Sequence, residues 1–265
     1  MLDQIQSTIT LLKKQKPLIL CLTNYVTMDF MANSLLALGA APLMSESREE
    51  IEELANLSQA IYVNIGTVDD VFMEKALFAA QVANSIGKPL ILDPVGAGAS
   101  KLRTSSAMKL LPYAQVIRGN ASEILSLAGS NGTTKGVESA DTVTTAIQSA
   151  QLLAQSQKTV VISGPEDFIT NGIENKILPF GSSFMPLITG MGCTMTAVLS
   201  AFIACHSDYF QATIQATAYF GLCGQLAHKQ ANAPASFKQA FIDNLFHPDW
   251  SLMSQTIERV SQNAL

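Results

Sequence analysis

The densest chemistry in the sequence lies in Thr189-Gly190-Met191-Gly192-Cys193-Thr194, ahead of an apolar run from Met195 to Cys205. Glycine lets a backbone approach a ligand closely, and the start of a helix leaves N–H groups unpaired, so a glycine-spaced helix start suits an anion. Cys193 stands at its mouth. The helix dipole favours a thiolate in the first turn, which predicts a cysteine able to take a proton from a hydroxyl while the amides of Gly190, Met191, Gly192 and Cys193 hold a migrating phosphoryl group. The same hexapeptide also reads as a packed turn with a buried cysteine, because Gly-x-Gly before a helix is common.

Other segments bear on that choice. Asp93-Pro94-Val95-Gly96-Ala97-Gly98 puts a carboxylate at a bend behind an apolar strand, where an ionised group needs a cation or hydrogen-bond donors. Support for hydrated magnesium on nucleotide phosphates fits Asp93, and capping of turn amides is the alternative. Asn120-Ala121-Ser122-Glu123 has the spacing of an ordinary capping box. Directly after Arg118-Gly119, however, Glu123 is also placed to orient metal-bound water and Arg118 to grip phosphate with its fork of donors. Ser163-Gly164 offers a hydroxyl and a backbone turn to a phosphate, or simply a turn. Met44, closing the short segment Ala41 to Met44, offers a flexible thioether to an apolar substrate or to the core. There is no G-x-x-x-x-G-K-[ST], and Gly96-x-Gly98-x-x-Lys101 lacks the third glycine of a dinucleotide fingerprint, which disfavours P-loop kinases and Rossmann dehydrogenases.

The elements that must position these residues alternate. Strand-like runs at Leu18 to Leu22, Ala60 to Ile65, Pro89 to Leu92, Val116 to Ile117 and Thr159 to Ile162 are separated by helical patterns at Thr27 to Leu38, Arg48 to Leu57, Val71 to Ile86, Ala107 to Leu111 and Thr142 to Gln155. Ser47 and Glu50 have capping-box spacing, and Gly39 and Gly87 stand where helices end. After Gly164, Glu166 to Thr170 and Ile173 to Leu178 read as a hairpin around Asn171-Gly172. Helical segments at Thr194 to Cys205, Tyr209 to Gln230 and Ala235 to Leu245 follow, and Met1 to Lys13 is an amphipathic helix. The pattern predicts one α/β domain over residues 1–265, a three-layer α/β/α arrangement with a mostly parallel sheet and an antiparallel edge. Ligands of such sheets sit beyond the carboxyl ends of the strands, where Thr23-Asn24, Asn64-Ile65-Gly66, Asp93 and Arg118 collect.

Composition narrows the partners. Hydrophobic residues make up 48% of the 265, charged ones only 14%, and 21 acidic residues outnumber 16 basic ones for a net charge of -5. Scattered basic residues argue against nucleic acid. The uncharged stretch Ile177 to Ser207 is interrupted by Pro179, Gly181, Pro186, Gly190 and Gly192, so no membrane span is expected. Excess apolar content predicts an oligomer. The N-terminus lacks the pattern of a secretory signal, so a cytoplasmic protein is expected. Cys21, Cys193, Cys205 and Cys223, like His206, His228 and His247, lack metal-ligand spacing, and no disulfide framework is indicated.

Across nearly its whole length the chain resembles the hydroxyethylthiazole kinases of the ribokinase-like superfamily. The likeness is carried by Thr23-Asn24-Tyr25-Val26, Asp93 to Gly98, Arg118 to Glu123, Lys135-Gly136-Val137 and Gly190 to Cys193. It implies a ribokinase-like fold and ATP-dependent phosphorylation of 4-methyl-5-(2-hydroxyethyl)thiazole for thiamine synthesis. It also implies a homotrimer with active sites at subunit interfaces. Residue by residue it assigns Met44, Gly190 and Asn24 to the thiazole, Arg118 and Ser163 to ATP, Asp93 and Glu123 to the Mg²⁺ region, and Cys193 to the catalytic position. Met191 and Ser163 stand where threonine is usual in that family, and Cys193 where most of the superfamily has aspartate. The aspartate distinguishes the competing readings, a hydroxymethylpyrimidine kinase or a nucleotide-hydrate dehydratase; a non-catalytic thiazole- or nucleotide-binding trimer is the remaining alternative.

Overall fold

The computed structural model describes residues 1–129 and 140–263. Lys135-Gly136-Val137 lies outside them. The described elements are α1 (Leu2–Gln15), β1 (Leu18–Leu22), α2 (Met28–Leu38), β2 (Ala41–Met44), α3 (Ile51–Leu57), β3 (Ala60–Asn64), α4 (Asp70–Ser85), β4 (Leu90–Asp93), α5 (Lys101–Leu110), β5 (Val116–Asn120), α6 (Ala121–Leu127), α7 (Ala140–Ala154), β6 (Thr159–Ser163), β7 (Asp167–Thr170), β8 (Asn175–Leu178), α8 (Met191–Ile203), α9 (Tyr209–Gln230), α10 (Pro234–Phe246) and α11 (Trp250–Asn263). The strands form one sheet in the order β2-β1-β3-β4-β5-β6-β7-β8. The first six are parallel, and β7 and β8 add the antiparallel edge.

Strand periodicity divides the core. Ile19, Cys21, Tyr62 and Ile91 face a layer of α1, α2 and α8 to α11, whereas Leu20, Leu22, Ile61, Val63 and Leu92 face α3 to α7. Both faces are covered, which is why the central strands read as near-continuous apolar runs. Register then brings the strand ends level: Asn64 pairs with Asp93, and Asn120 with Ser163. No helix of the described residues is long and apolar enough to cross a membrane.

Several boundaries differ from the sequence reading. α5 starts at Lys101 rather than Ala107, because Ser100 caps it by accepting the Arg103 N–H. The hairpin turn spans residues 171–174, with the Asn171 side chain accepting the N–H groups of Ile173 and Glu174. The expected capping box at Ser47 does not form: Ser47 accepts from Glu49, and the Glu50 carboxylate instead accepts the Ser45 hydroxyl at 2.6 Å. A fourth closing helix, α11, follows the three expected.

Candidate active site

α8 begins at Met191, three residues earlier than the sequence suggests, and Gly190 is its N-cap with φ +88°. Only glycine fits there: a Cβ would lie 2.7 Å from the Thr27 side chain. The Gly190 carbonyl accepts the Thr194 N–H at 2.8 Å, and the Met191 N–H is taken by the Ile188 carbonyl at 3.2 Å. Met191 therefore leaves the expected amide cradle. The N–H groups of Gly192 and Cys193, in the first turn, remain without an acceptor among the described residues, as a helix start leaves them.

Beneath this start lies a buried polar network. Asp93, at the end of β4, is fully buried. Its Oδ2 accepts from Thr196 Oγ1 at 2.8 Å and Asn64 Nδ2 at 3.0 Å, with the Tyr62 hydroxyl at 3.4 Å. Its Oδ1 has no partner. Burial raises the pKa of Asp93, against the opposing pull of Arg118 and of those donors. The Tyr62 hydroxyl also reaches the Cys193 carbonyl at 3.0 Å, which ties β3 to α8.

The expected thiolate is not favoured. Burial and the neighbouring Asp93 charge raise the Cys193 pKa, outweighing side-chain hydrogen bonds from Thr27, Asn64 and Asn24. A single helix start contributes only within its first turn, and here desolvation wins. Asn24 donates from Nδ2 to Cys193 Sγ at 3.4 Å and to Asn64 Oδ1 at 2.9 Å, while its Oδ1 accepts from Thr27. All its amide groups thus serve protein partners.

Arg118 projects from β5 against the α8 start, and its Nη2 donates to Ser163 Oγ. Its Nε is buried without a partner. The Glu123 carboxylate accepts the Gly96 and Asn120 N–H groups, each at 2.8 Å, and completes a capping box with Asn120. The capping box is thus observed, and the same residue lines a recess at the start of α8. Burial and Asp93 raise its pKa.

Two recesses meet at Arg118 and Gly192. A cavity of about 260 Å³ is lined by Asp93, Glu123, Gly190, Gly192 and Cys193 among others. A larger cleft of about 670 Å³ runs past Arg118, Ser163 and Asp167 to Phe180, Met185 and Phe220. Met44 ends β2 beside Cys21, at the same sheet edge as Asn24, yet neither residue lines these two recesses. Among the described residues no group of three or more His, Cys, Asp or Glu side chains could hold a metal.

Sequence reasoning missed Tyr62, Thr196 and Asp167. The first two sit inside apolar runs, where a polar side chain gives no local signal; Asp167 lay within the expected hairpin.

Comparison with known proteins bears on the chain as a whole. Residues 9–249 match the model of the hydroxyethylthiazole kinase family. A hydroxyethylthiazole kinase from Chlamydia felis is 44% identical over 256 residues, 96% of this chain and 98% of the relative. The structure of a hydroxyethylthiazole kinase protein from Pyrococcus horikoshii superposes with a TM-score of 0.87 at 31% identity, covering 95% of this chain and 96% of that one. A ribokinase-like superfamily protein from Enterococcus faecalis shares the fold, with a TM-score of 0.63 at 15% identity over 89% and 90% of the two chains.

Proposed function

Because the chain belongs to the hydroxyethylthiazole kinase family, we propose that it transfers the γ-phosphoryl group of ATP to the hydroxyl of 4-methyl-5-(2-hydroxyethyl)thiazole, a step toward thiamine. The observation that carries this reading is the meeting of two recesses at Arg118 and the free N–H groups of Gly192 and Cys193. The larger takes the nucleotide, with Ser163 and Arg118 near its phosphates; the smaller lies beside Cys193, where the acceptor hydroxyl arrives.

Phosphoryl transfer is chiefly positioning and stabilisation of charge spread over the migrating group. Gly192 and Cys193 donate their N–H groups to it, and the Arg118 guanidinium neutralises it. Cys193 is a neutral thiol in this reading, held by Asn24, and faces the acceptor rather than abstracting its proton in advance.

Magnesium fits the residues present. Asp93 Oδ1 is buried without a partner, and a hydrated divalent cation would satisfy it. Glu123, whose two oxygens accept the Gly96 and Asn120 N–H groups, would add negative charge beside such an ion. When bound, the ion would neutralise phosphate charge.

Residues 1–265 work in this reading as one kinase domain in the cytoplasm. The thiazole ring rests on Met44 and Gly190, at the sheet edge where Asn24 also lies. Tyr25 and Val26, next to Asn24, are 63% and 71% exposed. The exposed Tyr25 and Val26, near the half-buried Met44, support a homotrimer whose neighbouring subunit closes the acceptor pocket. A coupled assay of ADP release with the thiazole alcohol, ATP and Mg²⁺ tests the activity. Thiazole-dependent ADP release is expected; its absence, with nucleotide bound, would favour a non-catalytic binding protein.

A further inference from the structure

Asp167 opens β7 and is the one acidic side chain among the described residues that line the 670 Å³ cleft. It is only 8% exposed. Its Oδ1 accepts the Gly164 N–H at 3.2 Å. Its Oδ2 has no hydrogen-bond partner among the described residues, and Asp167 lines the cleft. A nearly buried carboxylate with one oxygen left for a ligand calls for an N–H or O–H donor.

A nucleoside triphosphate presents few donors. Its phosphate oxygens and most ring nitrogens are acceptors, which a carboxylate repels; the donors are the ribose hydroxyls and, on adenine, the exocyclic amine. The phosphates belong at the Arg118 end, where Ser163 bonds the guanidinium. Asp167 joins that end through Gly164, the residue after Ser163, and burial is offset in part there by the Arg118 charge. The portion of a nucleotide adjoining its phosphates is the sugar. Phe180, Met185 and Phe220 provide apolar surface further along for the base.

We infer that Asp167 Oδ2 accepts a hydrogen bond from a ribose hydroxyl of the nucleotide, and so selects ribonucleotides over their deoxy counterparts. This rests on the reading of the cleft as the ATP site. The chemistry is that of carboxylates that grip ribose in other nucleotide folds.

Calorimetric binding of ATP, 2′-deoxy-ATP, 3′-deoxy-ATP and ITP to the wild type, Asp167→Asn and Asp167→Ala tests it, with no thiazole present. The wild type should bind one deoxy analogue roughly 10- to 100-fold more weakly than ATP, as expected for a hydrogen bond to a charged group. That preference should collapse to within about threefold in Asp167→Ala and weaken to at most about tenfold in Asp167→Asn, whose neutral amide can still pair with a hydroxyl, with circular dichroism unchanged for the isosteric Asp167→Asn. Equal wild-type binding of ATP and both deoxy analogues would overturn the inference. So would the wild-type preference surviving undiminished in Asp167→Ala, or an Asp167-dependent loss confined to ITP, which would place the base amine at Oδ2. If no nucleotide binds the wild type at all, it is the ATP-site reading that fails, whatever the variants do.

Discussion

The Arg118 guanidinium rests on the backbone of Gly192, so closely that a Cβ there would lie 2.7 Å from Nη1. The contact joins the middle of β5 to the start of α8 and brings a cation beside two free amides. It makes Gly192 a spacing residue for charge rather than for backbone conformation, since its φ is not positive.

Gly192→Ala separates these roles. Alanine favours a helix by about 1 kcal/mol over glycine, and the displaced atoms are the far end of a flexible side chain, so the thermal midpoint should hold or rise. Turnover should fall about 100-fold as Arg118 swings from the phosphate, with the KM for ATP raised. A Gly192→Ala enzyme of wild-type kcat/KM would remove Arg118 from the phosphate site.

Cys193 is held protonated by burial and by Asp93. Cys193→Ala should therefore retain appreciable activity, within about 100-fold of wild type, since one general base typically contributes 10²–10⁴-fold and this thiol is a poor one. Cys193→Asp should equal or exceed the wild type. Steady-state kinetics decide the matter: total loss of turnover in Cys193→Ala, with ATP and thiazole still bound, would contradict this ordering.

Burial pushes Asp167 up to about 6 from the model-compound 3.8, against Arg118 and the Gly164 N–H. The folded protein then binds a proton more readily than the unfolded chain between these values, so stability falls as pH rises through that window. The full cost, up to about 3 kcal/mol, is present above pH 6 and absent below the unfolded value. Asp167→Asn lacks this slope. Its stability relative to wild type, by urea unfolding without nucleotide, should increase from pH 4 to pH 7.

Asp93→Asn should raise the stability of the ligand-free protein at neutral pH, because the ionised side chain is disfavoured by burial, while lowering kcat by about 100-fold or more. Chelation of divalent cations should abolish wild-type turnover and Mg²⁺ should restore it. Full activity of Asp93→Asn with undiminished Mg²⁺ response would displace Asp93 from the metal region.

Sedimentation checks the assembly. A trimer at assay concentrations is expected, and a monomer with full activity would show that one chain closes its own acceptor pocket.

Local patterns made much of this molecule legible. The apolar runs of β1, β3, β4, β5 and β6 marked the sheet, and of the polar residues at their ends Asp93, Arg118, Asn120 and Ser163 line the recesses, whereas Thr23, Asn24 and Asn64 do not. Gly39 and Gly87 signalled helix ends and do have positive φ. The first turns of α5, rich in Ser and Thr, carry no apolar periodicity, so its start was set by the Ser100 cap instead. α11 did carry a signal, with Leu252, Met253, Ile257 and Val260 at helical spacing. Non-local effects were illegible. The dipole argument for a Cys193 thiolate is local, whereas the burial and Asp93 charge that reverse it arrive from other elements. Likewise Glu50 could cap its own helix by spacing, but Ser45 takes it.

The central claim is that the Gly192 and Cys193 amides and Arg118 hold the migrating phosphoryl group. A crystal structure with ADP, Mg²⁺, aluminium fluoride and the thiazole alcohol tests it most directly. The account predicts fluorides within hydrogen-bond reach of both amides and of Arg118, with the alcohol oxygen in line and facing Cys193. An aluminium fluoride seated away from the α8 start, with those amides still free, would contradict it.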